Sequence, residues 1–430
     1  MYHRAKITIK SFTSSCIASM VLAQSYVLAT EYSVESALKL SAEHNDNVRL
    51  STADKQSIQG RIVQPTVMAK VAGDTWNASM DMDLRFNRFN REQYDSDDQY
   101  VVLRGNKITE TQNFGLTLDG VRDSTRTSEQ DTSGFITESA IRRERYTVSP
   151  NWSYSFSDRS YISATTSFSE TEYKSDRYTN YDYNNAALSW TTAIEEKITL
   201  TLQLNGSNYE PDERVTNYLS TFELGTKSES KSYGIQLGGE YKLNEKLAID
   251  GLVGSTKTEQ EYFLRDPQGA CTSPFLANSG LTPGVCDLND FNSTNLTADV
   301  SITWADERSD IKFTYSFQNQ PSSQGYEVEY ERFKLDWDYS ITEKSRLRTE
   351  LNYGTNQALD VDVASIDPQN SNRDFWNGAL VYRYEFSKHW RAYARYSYQW
   401  QDRETSIDDA YANSIRLGIN YQPIKVIWSR

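Results

Sequence analysis

The clearest feature of the sequence is an alternation of apolar and polar residues that recurs along most of the chain. In the segment KITLTLQLNG, Ile198, Leu200, Leu202 and Leu204 are apolar, whereas the residues between them are threonine, glutamine and asparagine. The same alternation occurs at 80–86, 146–168, 333–339, 346–353 and 390–400. A period of two residues is typical of a β-strand with one apolar and one polar face. The pattern therefore predicts an all-β protein.

The connections between the predicted strands alternate between short and long. Short polar turns occur near residues 72–74, 157–160, 195–197, 244–246, 342–344 and 387–388. Longer polar stretches separate the resulting hairpins, for example at 123–140, 210–229, 263–290 and 360–372. Short turns at one end, long loops at the other and strands of membrane-crossing length are typical of an outer-membrane β-barrel. Soluble sandwiches usually have shorter strands and no such asymmetry between their ends.

Eight short turns and nine longer connections predict eighteen strands in a transmembrane antiparallel up-and-down β-barrel, and sixteen strands is the alternative. The turns are expected on the periplasmic side, together with both ends of the chain. The first strand is placed at Val34 to Glu43, and residues 47–57 fit either a loop or a plug. The final strand carries Arg416, Gly418 and Tyr421 at the spacing of a barrel-assembly signal.

The segment 146–168 shows which face should meet lipid. Trp152, Tyr154 and Phe156 alternate with serines before a short polar turn. Aromatic rings favour the boundary between membrane and water, so these three side chains are expected to face lipid. The serines are then expected to face water inside the barrel.

Composition agrees with an exported barrel. The chain is 37% hydrophobic and contains 29 tyrosines, so aliphatic residues are scarce for a soluble core of this length. Arg4, Lys6 and Lys10 precede a mostly small and apolar stretch, which predicts a signal peptide at 1–29 and a barrel at 30–430. After this stretch no apolar run reaches the roughly 18 residues of a membrane helix. The net charge of −14 argues against nucleic acid as a partner.

The alternation places a set of charged residues on the polar face, where they would line the pore. They are Asp81, Asp83, Arg85, Asp119, Lys334, Asp336, Asp338, Arg346, Arg348, Glu350, Arg383, Glu385, Arg391 and Arg395. One interpretation is a pore that selects hydrophilic solutes by charge. The other is structural ion pairing between strands, with Asp338 facing Arg346 across one turn and Glu385 facing Arg391 across another.

Other candidate chemistry is sparse. Cys271 and Cys286 flank one loop of a protein predicted to be exported, which predicts a disulfide that closes the loop. Only His44 and His389 remain after signal cleavage, and neither has an identifiable nucleophile, so no enzyme activity is expected. No cofactor motif or zinc spacing is present. The acidic stretches at 95–98, 210–213 and 408–409 fit either calcium binding or solvated surface.

Four stretches carry a further signal: RDSTRTSEQDTSGF at 122–135, VSPNWSYSFSDRSYISATTSFSETEY at 148–173, YEPD at 209–212 and SAEHNDNVRLS at 41–51. They resemble outer-membrane barrels that are encoded with PEP-CTERM/exosortase and exopolysaccharide systems. The resemblance implies an outer-membrane location and an association with export of polysaccharide or surface protein. It supplies no catalytic residues. The cysteine-bearing loop and the tail after Tyr421 depart from this family, which puts a shared partner in doubt.

These observations predict a porin-like hydrophilic conduit, or an accessory barrel in envelope polysaccharide export, in the outer membrane of a Gram-negative bacterium. The expected partners are outer-membrane lipid and lipopolysaccharide, the barrel-assembly machinery, and exopolysaccharide or export components. The main alternative is a non-conducting structural or adhesion barrel whose extracellular loops bind ligands. A soluble all-β protein is a further alternative, and it would have to bury its aromatic face against a second sheet.

Overall fold

The computed structural model describes residues 30–126, 140–176, 178–218, 222–266, 291–323, 325, 327–358, 372–403 and 408–429. These residues form one antiparallel sheet that closes on itself. The strands are β1 (Glu31–Asn45), β2 (Ile58–Ala72), β3 (Trp76–Phe89), β4 (Ser96–Ile108), β5 (Gln112–Ser124), β6 (Arg142–Ser157), β7 (Ser160–Tyr173), β8 (Tyr181–Glu195), β9 (Ile198–Pro211), β10 (Arg214–Tyr218), β11 (Phe222–Lys242), β12 (Leu247–Arg265), β13 (Phe291–Ala305), β14 (Ser309–Pro321), β15 (Glu327–Thr342), β16 (Ser345–Ala358), β17 (Arg373–Glu385), β18 (Trp390–Arg403), β19 (Ala410–Tyr421) and β20 (Val426–Ser429). A short 3₁₀ helix, Glu92–Tyr94, lies between β3 and β4.

The barrel wall has eighteen strands, β1 to β9 and β11 to β19, each paired with the next. Strand β9 pairs with β11, and β19 pairs with β1, with Leu38 opposite Tyr421. This closure confirms the predicted eighteen strands over the alternative of sixteen. The wall strands have between 12 and 21 residues.

The two remaining strands, β10 and β20, extend the wall without adding to the number of wall strands. Strand β10 pairs with the start of β11, so the connection predicted at 210–229 contains strand pairing beyond the wall. Strand β20 pairs with the first residues of β1, with Val34 opposite Val426. Pro423 lies in the break between β19 and β20, where a residue without an N–H cannot continue the ladder.

The alternation in the sequence becomes an apolar exterior and a polar interior. Leu200, Leu202 and Leu204 of β9 are exposed on the outer face, and Ile235 and Leu237 of β11 lie exposed beside them. The residues between them point inward. A soluble protein has the opposite arrangement, so the outer surface is suited to lipid.

The aromatic residues of β6 lie on this outer face, as the alternation predicts. Tyr154 packs between Trp152 and Phe156, with ring centroids 6.4 and 5.3 Å apart. Ser153 pairs with Ser163 of β7 on the opposite, inward face.

The two ends of the barrel differ as the connections predict. Short turns join β2 to β3, β4 to β5, β6 to β7, β8 to β9, β11 to β12, β13 to β14, β15 to β16 and β17 to β18. We call this the turn end, and the opposite end, where the longer connections lie, the loop end. Strand β1 extends from Glu31 to Asn45, beyond both predicted ends at Val34 and Glu43, so His44 lies in a strand.

Candidate functional site: the barrel lumen

The charged residues predicted to line the pore all occur at inward positions of the wall. Asp81, Asp83 and Arg85 alternate with the apolar outer residues of β3, and Asp119 lies on the inner face of β5. The remaining residues occupy inward positions on four consecutive strands, from β15 to β18. They are Lys334, Asp336, Asp338, Arg346, Arg348, Glu350, Arg383, Glu385, Arg391 and Arg395. We call the lumen face of β14–β19 and β1–β5 the charged arc.

Ion pairs connect strands of the charged arc, and positive and negative side chains alternate along this network. Arg348 contacts Glu350 at 2.9 Å and Asp336 at 3.6 Å. Glu350 also accepts a hydrogen bond from Arg395 at 3.0 Å, across the intervening strand β17. Near the turn end, Arg391 contacts Glu385 at 2.6 Å, as the sequence predicts. The arc therefore presents fixed charges of both signs.

The predicted pairing of Asp338 with Arg346 is wrong. Arg346 lies opposite Ser340, whereas Asp338 lies opposite Arg348 and contacts it at 3.8 Å. The observed pairing is symmetric about Glu343, so Asp338 and Arg348 lie at equal distances from it. The predicted pair is instead symmetric about Thr342, one residue earlier, which gives the wrong partner.

The carboxylates on β3 and β5 have partners on adjacent strands. Asp81 accepts a hydrogen bond from Arg104, and Asp119 lies 3.5 Å from Arg145. Asp83 accepts hydrogen bonds from Gln64 at 2.9 and 2.7 Å. These contacts fit the structural interpretation of the charges, although the same side chains face the lumen.

On the opposite side of the lumen, a surface within five described strands carries no charged side chain at its inward positions. We call this surface, formed by 147–155, 161–173, 181–193, 199–211 and 228–238 of β6–β9 and β11, the neutral arc. Its hydroxyl and amide groups bond across strands. Ser189 donates to Gln203 at 2.9 Å, and Gln203 donates to Gln236 at 2.9 Å. Ser149 donates to Ser167 at 3.1 Å in the same manner.

At the loop end the first connection, 46–57, folds inward. Leu50 packs against Ala410 and Ala412, which point into the lumen from β19. Leu50 has a φ of 45°, which is uncommon for a residue other than glycine. Its carbonyl accepts a hydrogen bond from the buried amide of Gln401 at 3.1 Å. The sequence left a loop and a plug as alternatives for this segment. In the structure it is a loop between β1 and β2 that also fills part of the barrel mouth.

A second inward group surrounds Arg126, which follows β5. Its guanidinium lies 4.6 Å from the ring centroid of Phe89 and 3.8 Å from Glu43. Glu43 is also bonded by Arg416 of β19. Burial lowers the pKa of the Arg126 guanidinium, and the negative charge of Glu43 opposes this change. Sequence reasoning missed Arg126 and Glu43. The polar-face position of Glu43 on β1 was the available signal.

The third inward group is the connection between β14 and β15. The hydroxyl of Tyr209 donates to the carbonyl of Ser322 at 2.7 Å, and Ser228 donates to the carbonyl of Gly325 at 2.7 Å. The backbone N–H of Thr179 donates to the carbonyl of Ser323 at 2.8 Å. These contacts hold the tip of the β14–β15 hairpin against the inner face of the neutral arc.

The exposure of charged side chains falls from the middle of the lumen to the loop end. Arg395 and Glu350, which lie halfway along their strands, have side chains that are 35% and 29% exposed. Arg143 and Asp123 lie at the loop end and form a pair at 2.8 Å, but their side chains are only 8% and 4% exposed. Water therefore reaches the middle of the lumen, whereas the three inward groups cover much of its loop end.

Several predicted features remain predictions. The signal peptide and the pair Cys271 and Cys286 lie outside the described residues. Within the described ranges, no group of three or more histidine, cysteine, aspartate or glutamate side chains is arranged to hold a metal ion. His389 contacts the carbonyl of Gln422 at 2.9 Å. No helix in the part of the chain that the structure describes is long and apolar enough to span a membrane.

No protein-family model and no curated protein matches the sequence. The solved structures that are similar include the ferric-catecholate import receptor Fiu from E. coli K12, with 9% identity and a TM-score of 0.47 over 90% of this chain and 81% of that one. Acinetobacter baumannii OccAB3 has 10% identity and a TM-score of 0.44 over 92% and 99%. Pseudomonas aeruginosa OccK8 has 8% identity and a TM-score of 0.46 over 92% and 98%. Because these scores are low, the fold assignment rests on the strand pairing and closure described above.

Proposed function

We propose that the protein is a porin-like hydrophilic conduit in the outer membrane of a Gram-negative bacterium. The observation that carries this proposal is the water exposure of the Arg395–Glu350 pair in the middle of the lumen. A barrel of sixteen to eighteen strands leaves an aqueous interior unless loops fill it. Rings of charged side chains in such an interior select ions and solutes by their charge.

Single-channel conductance of the refolded chain in a planar bilayer tests the proposal. We expect a steady ohmic current, with ion selectivity that shifts toward cations when Arg391→Glu and Arg395→Glu are combined. The matched control combines Arg61→Glu and Lys231→Glu, which reverse the same number of charges on the outer face. A shift of equal size in the control, or a barrel that inserts without conducting, would contradict the proposal.

We further propose that the solutes include polysaccharide, with the barrel acting in envelope polysaccharide export. The neutral arc supports this idea, because its hydroxyl and amide groups can exchange hydrogen bonds with sugar hydroxyls without a charged partner. The family resemblance of the segments around residues 122–173 supports it independently. In the same bilayers, a neutral oligosaccharide should block the current transiently. Absence of such blocks in a conducting barrel would favour a general conduit.

A non-conducting structural or adhesion barrel is the second candidate function. The coverage of the loop end by the segment 46–57, Arg126 and the β14–β15 tip favours it. In that case the loop end would bind lipopolysaccharide or an external ligand, and the lumen would carry no ionic current in the bilayer. Measurable current therefore separates the two candidates.

A further inference from the structure

The barrel wall is interrupted at the loop end between β13 and β14. Strand β13 pairs with β12 over 291–304 but with β14 only from Ala298 to Ala305. Beyond Phe317, β14 pairs with β15 alone. Among the described residues, no strand pairs with 291–297 on this side. We call this interruption the β13–β14 seam.

The hairpin overlaps the inner surface of the wall next to this seam. Asn319 of β14 donates to Thr258 of β12 at 3.0 Å, and Ser230 of β11 donates to Glu327 of β15 at 2.7 Å. Asn295 of β13 bonds to Glu329 of β15. Thr258, Ser230 and Glu327 are almost completely buried by this overlap. The seam is therefore closed by side-chain hydrogen bonds, with no backbone ladder across it.

The lumen-facing side of the inserted hairpin contacts β17, which lies two strands along the wall from β15. Tyr330 packs against Phe375 of β17 with ring centroids 6.2 Å apart, and both side chains are buried. Arg373 lies over the Phe375 ring at 4.5 Å. The hairpin thus packs against β11–β13 on one side and β17 on the other, so its inserted position is part of the packing at the loop end.

The sequence itself encodes the insertion. On β15 the outward positions are apolar at Phe333, Leu335 and Trp337, and then become acidic at 331, 329 and 327. On β14 they are aromatic up to Phe317 and polar at Asn319. The change occurs at the level where pairing with β13 stops. Acidic residues at these positions would face lipid if the wall were regular. Because the hairpin lies inside, Glu327 and Glu329 bond to the inner wall, whereas Glu331 accepts a hydrogen bond from Tyr315 of β14 at 3.0 Å.

The seam joins an apolar surface to a polar one. Leu296 is strongly exposed on the outer face of β13, next to Ala298 and Phe317. On the inner side lie the hydroxyl and amide groups of Thr258 and Asn295. Irregular backbone at membrane depth is tolerated where it lines a cavity and not where it meets lipid. A molecule with acyl chains and a polar head group matches both sides of such a seam.

We propose that the β13–β14 seam is a lateral opening through which the head group of an acyl-chain-bearing amphiphile enters the lumen from the outer leaflet. The acyl chains remain against the apolar face at Leu296 and Phe317. The head group reaches the hydroxyl, amide and carboxylate groups that now hold the hairpin. Displacement of the hairpin requires the loss of its side-chain hydrogen bonds, of the backbone hydrogen bond from Thr179 to Ser323 and of the Tyr330–Phe375 contact. Opening elsewhere in the wall requires the loss of a strand ladder.

Site-specific photocrosslinking tests this opening. Para-benzoylphenylalanine replaces Asn295, which faces the lumen beside the seam, in barrels refolded into vesicles of radiolabelled phosphatidylethanolamine. The matched control places the same residue at Asn185, which faces the lumen on β8 at a similar distance from its loop-end terminus. We expect lipid labelling at 295 and background labelling at 185. Ser293 provides a second position beside the seam if the first variant does not refold.

A disulfide lock supplies the second arm. In a chain with Cys271→Ser and Cys286→Ser, the changes Thr258→Cys and Asn319→Cys join the hairpin to the wall. Oxidation should remove the labelling at 295, and reduction should restore it. No labelling at 293 or 295, equal labelling at 185, or labelling that survives the lock would each overturn the lateral opening. None of these crosslinking results would change the conductance expected of the barrel, so the proposed conduit is tested separately.

Discussion

Two arginine–carboxylate pairs inside the barrel have similar geometry and different surroundings. Arg395 donates to Glu350 at 3.0 Å in the middle of the lumen, and Arg143 donates to Asp123 at 2.8 Å at the loop end. About a third of each side chain in the first pair is exposed, whereas the second pair is almost fully buried. The difference arises from the chain segments that fold over the loop end.

The comparison shows that one barrel interior provides two electrostatic environments. In the middle, water screens the charges, so they contribute little to folding and remain available to passing solutes. At the loop end, the charges are removed from water and each depends on its partner. We expect substitutions at the two sites to differ accordingly in their effects on the free energy of unfolding.

The largest effect is expected from Arg143→Met. This change leaves the carboxylate of Asp123 buried without the arginine, and it should lower the free energy of unfolding by about 3–5 kcal/mol. Urea titration in lipid vesicles, followed by tryptophan fluorescence, measures this change. The double variant with Asp123→Leu is the control, because removal of both partners should recover most of the loss. A small effect of the single variant would show that water reaches the loop end.

A smaller effect is expected from Glu350→Gln. The variant removes the carboxylate shared by Arg348 and Arg395, but all three side chains are partly exposed. The free energy of unfolding should fall by about 1 kcal/mol or less in the same titration. A loss as large as that of Arg143→Met would mean that the middle of the lumen is not solvated and would contradict the proposed conduit.

The smallest effect is expected outside the lumen, at the pair formed by Lys246 and Asp306 in two neighbouring turns. Lys246 donates to Asp306 at 2.7 Å, and this hydrogen bond lowers the pKa of the Asp306 carboxyl. The contribution of this hydrogen bond to the free energy of unfolding is therefore present above the ordinary pKa of aspartate. It is lost as the pH falls through the lowered pKa of Asp306.

In Lys246→Met, the urea midpoint should be slightly below that of the unmodified chain at neutral pH. The difference should vanish in acid and shrink with added salt, because both groups are solvated. The matched control is Lys344→Met, which removes a lysine from another short turn. A difference that grows as the pH falls would contradict the assigned hydrogen bond.

Much of this architecture is predictable from local sequence. The period of two residues at 198–205 assigns the faces of β9, because one side must meet lipid and the other water. The alternation of short and long connections gives the strand number and the two ends. The inward positions of Arg395 and Glu350 follow from the same alternation. These features depend only on residues that are close in sequence, which is why the sequence alone predicts them.

The remaining features depend on contacts between distant segments. The seam was not predicted, although the outward positions of β15 change from apolar to acidic between Phe333 and Glu327. That change indicates an altered environment but does not specify which strands meet the acidic residues. Arg126 follows a strand in a polar stretch, so nothing local indicates its approach to Glu43. The partner of Asp338 was wrong by one pair because the prediction centred the hairpin on Thr342, whereas the observed register is centred on Glu343.

The pairing of β1 with β19 and β20 has a consequence for assembly. Until those last strands are in place, the other wall strands form an open sheet with two unpaired edges, and such edges promote association between chains. Asn45 pairs with Ser414, although nearly the whole length of the chain separates them in sequence. Contacts of such high sequence separation form slowly. The edges of the growing sheet therefore need shielding during this interval.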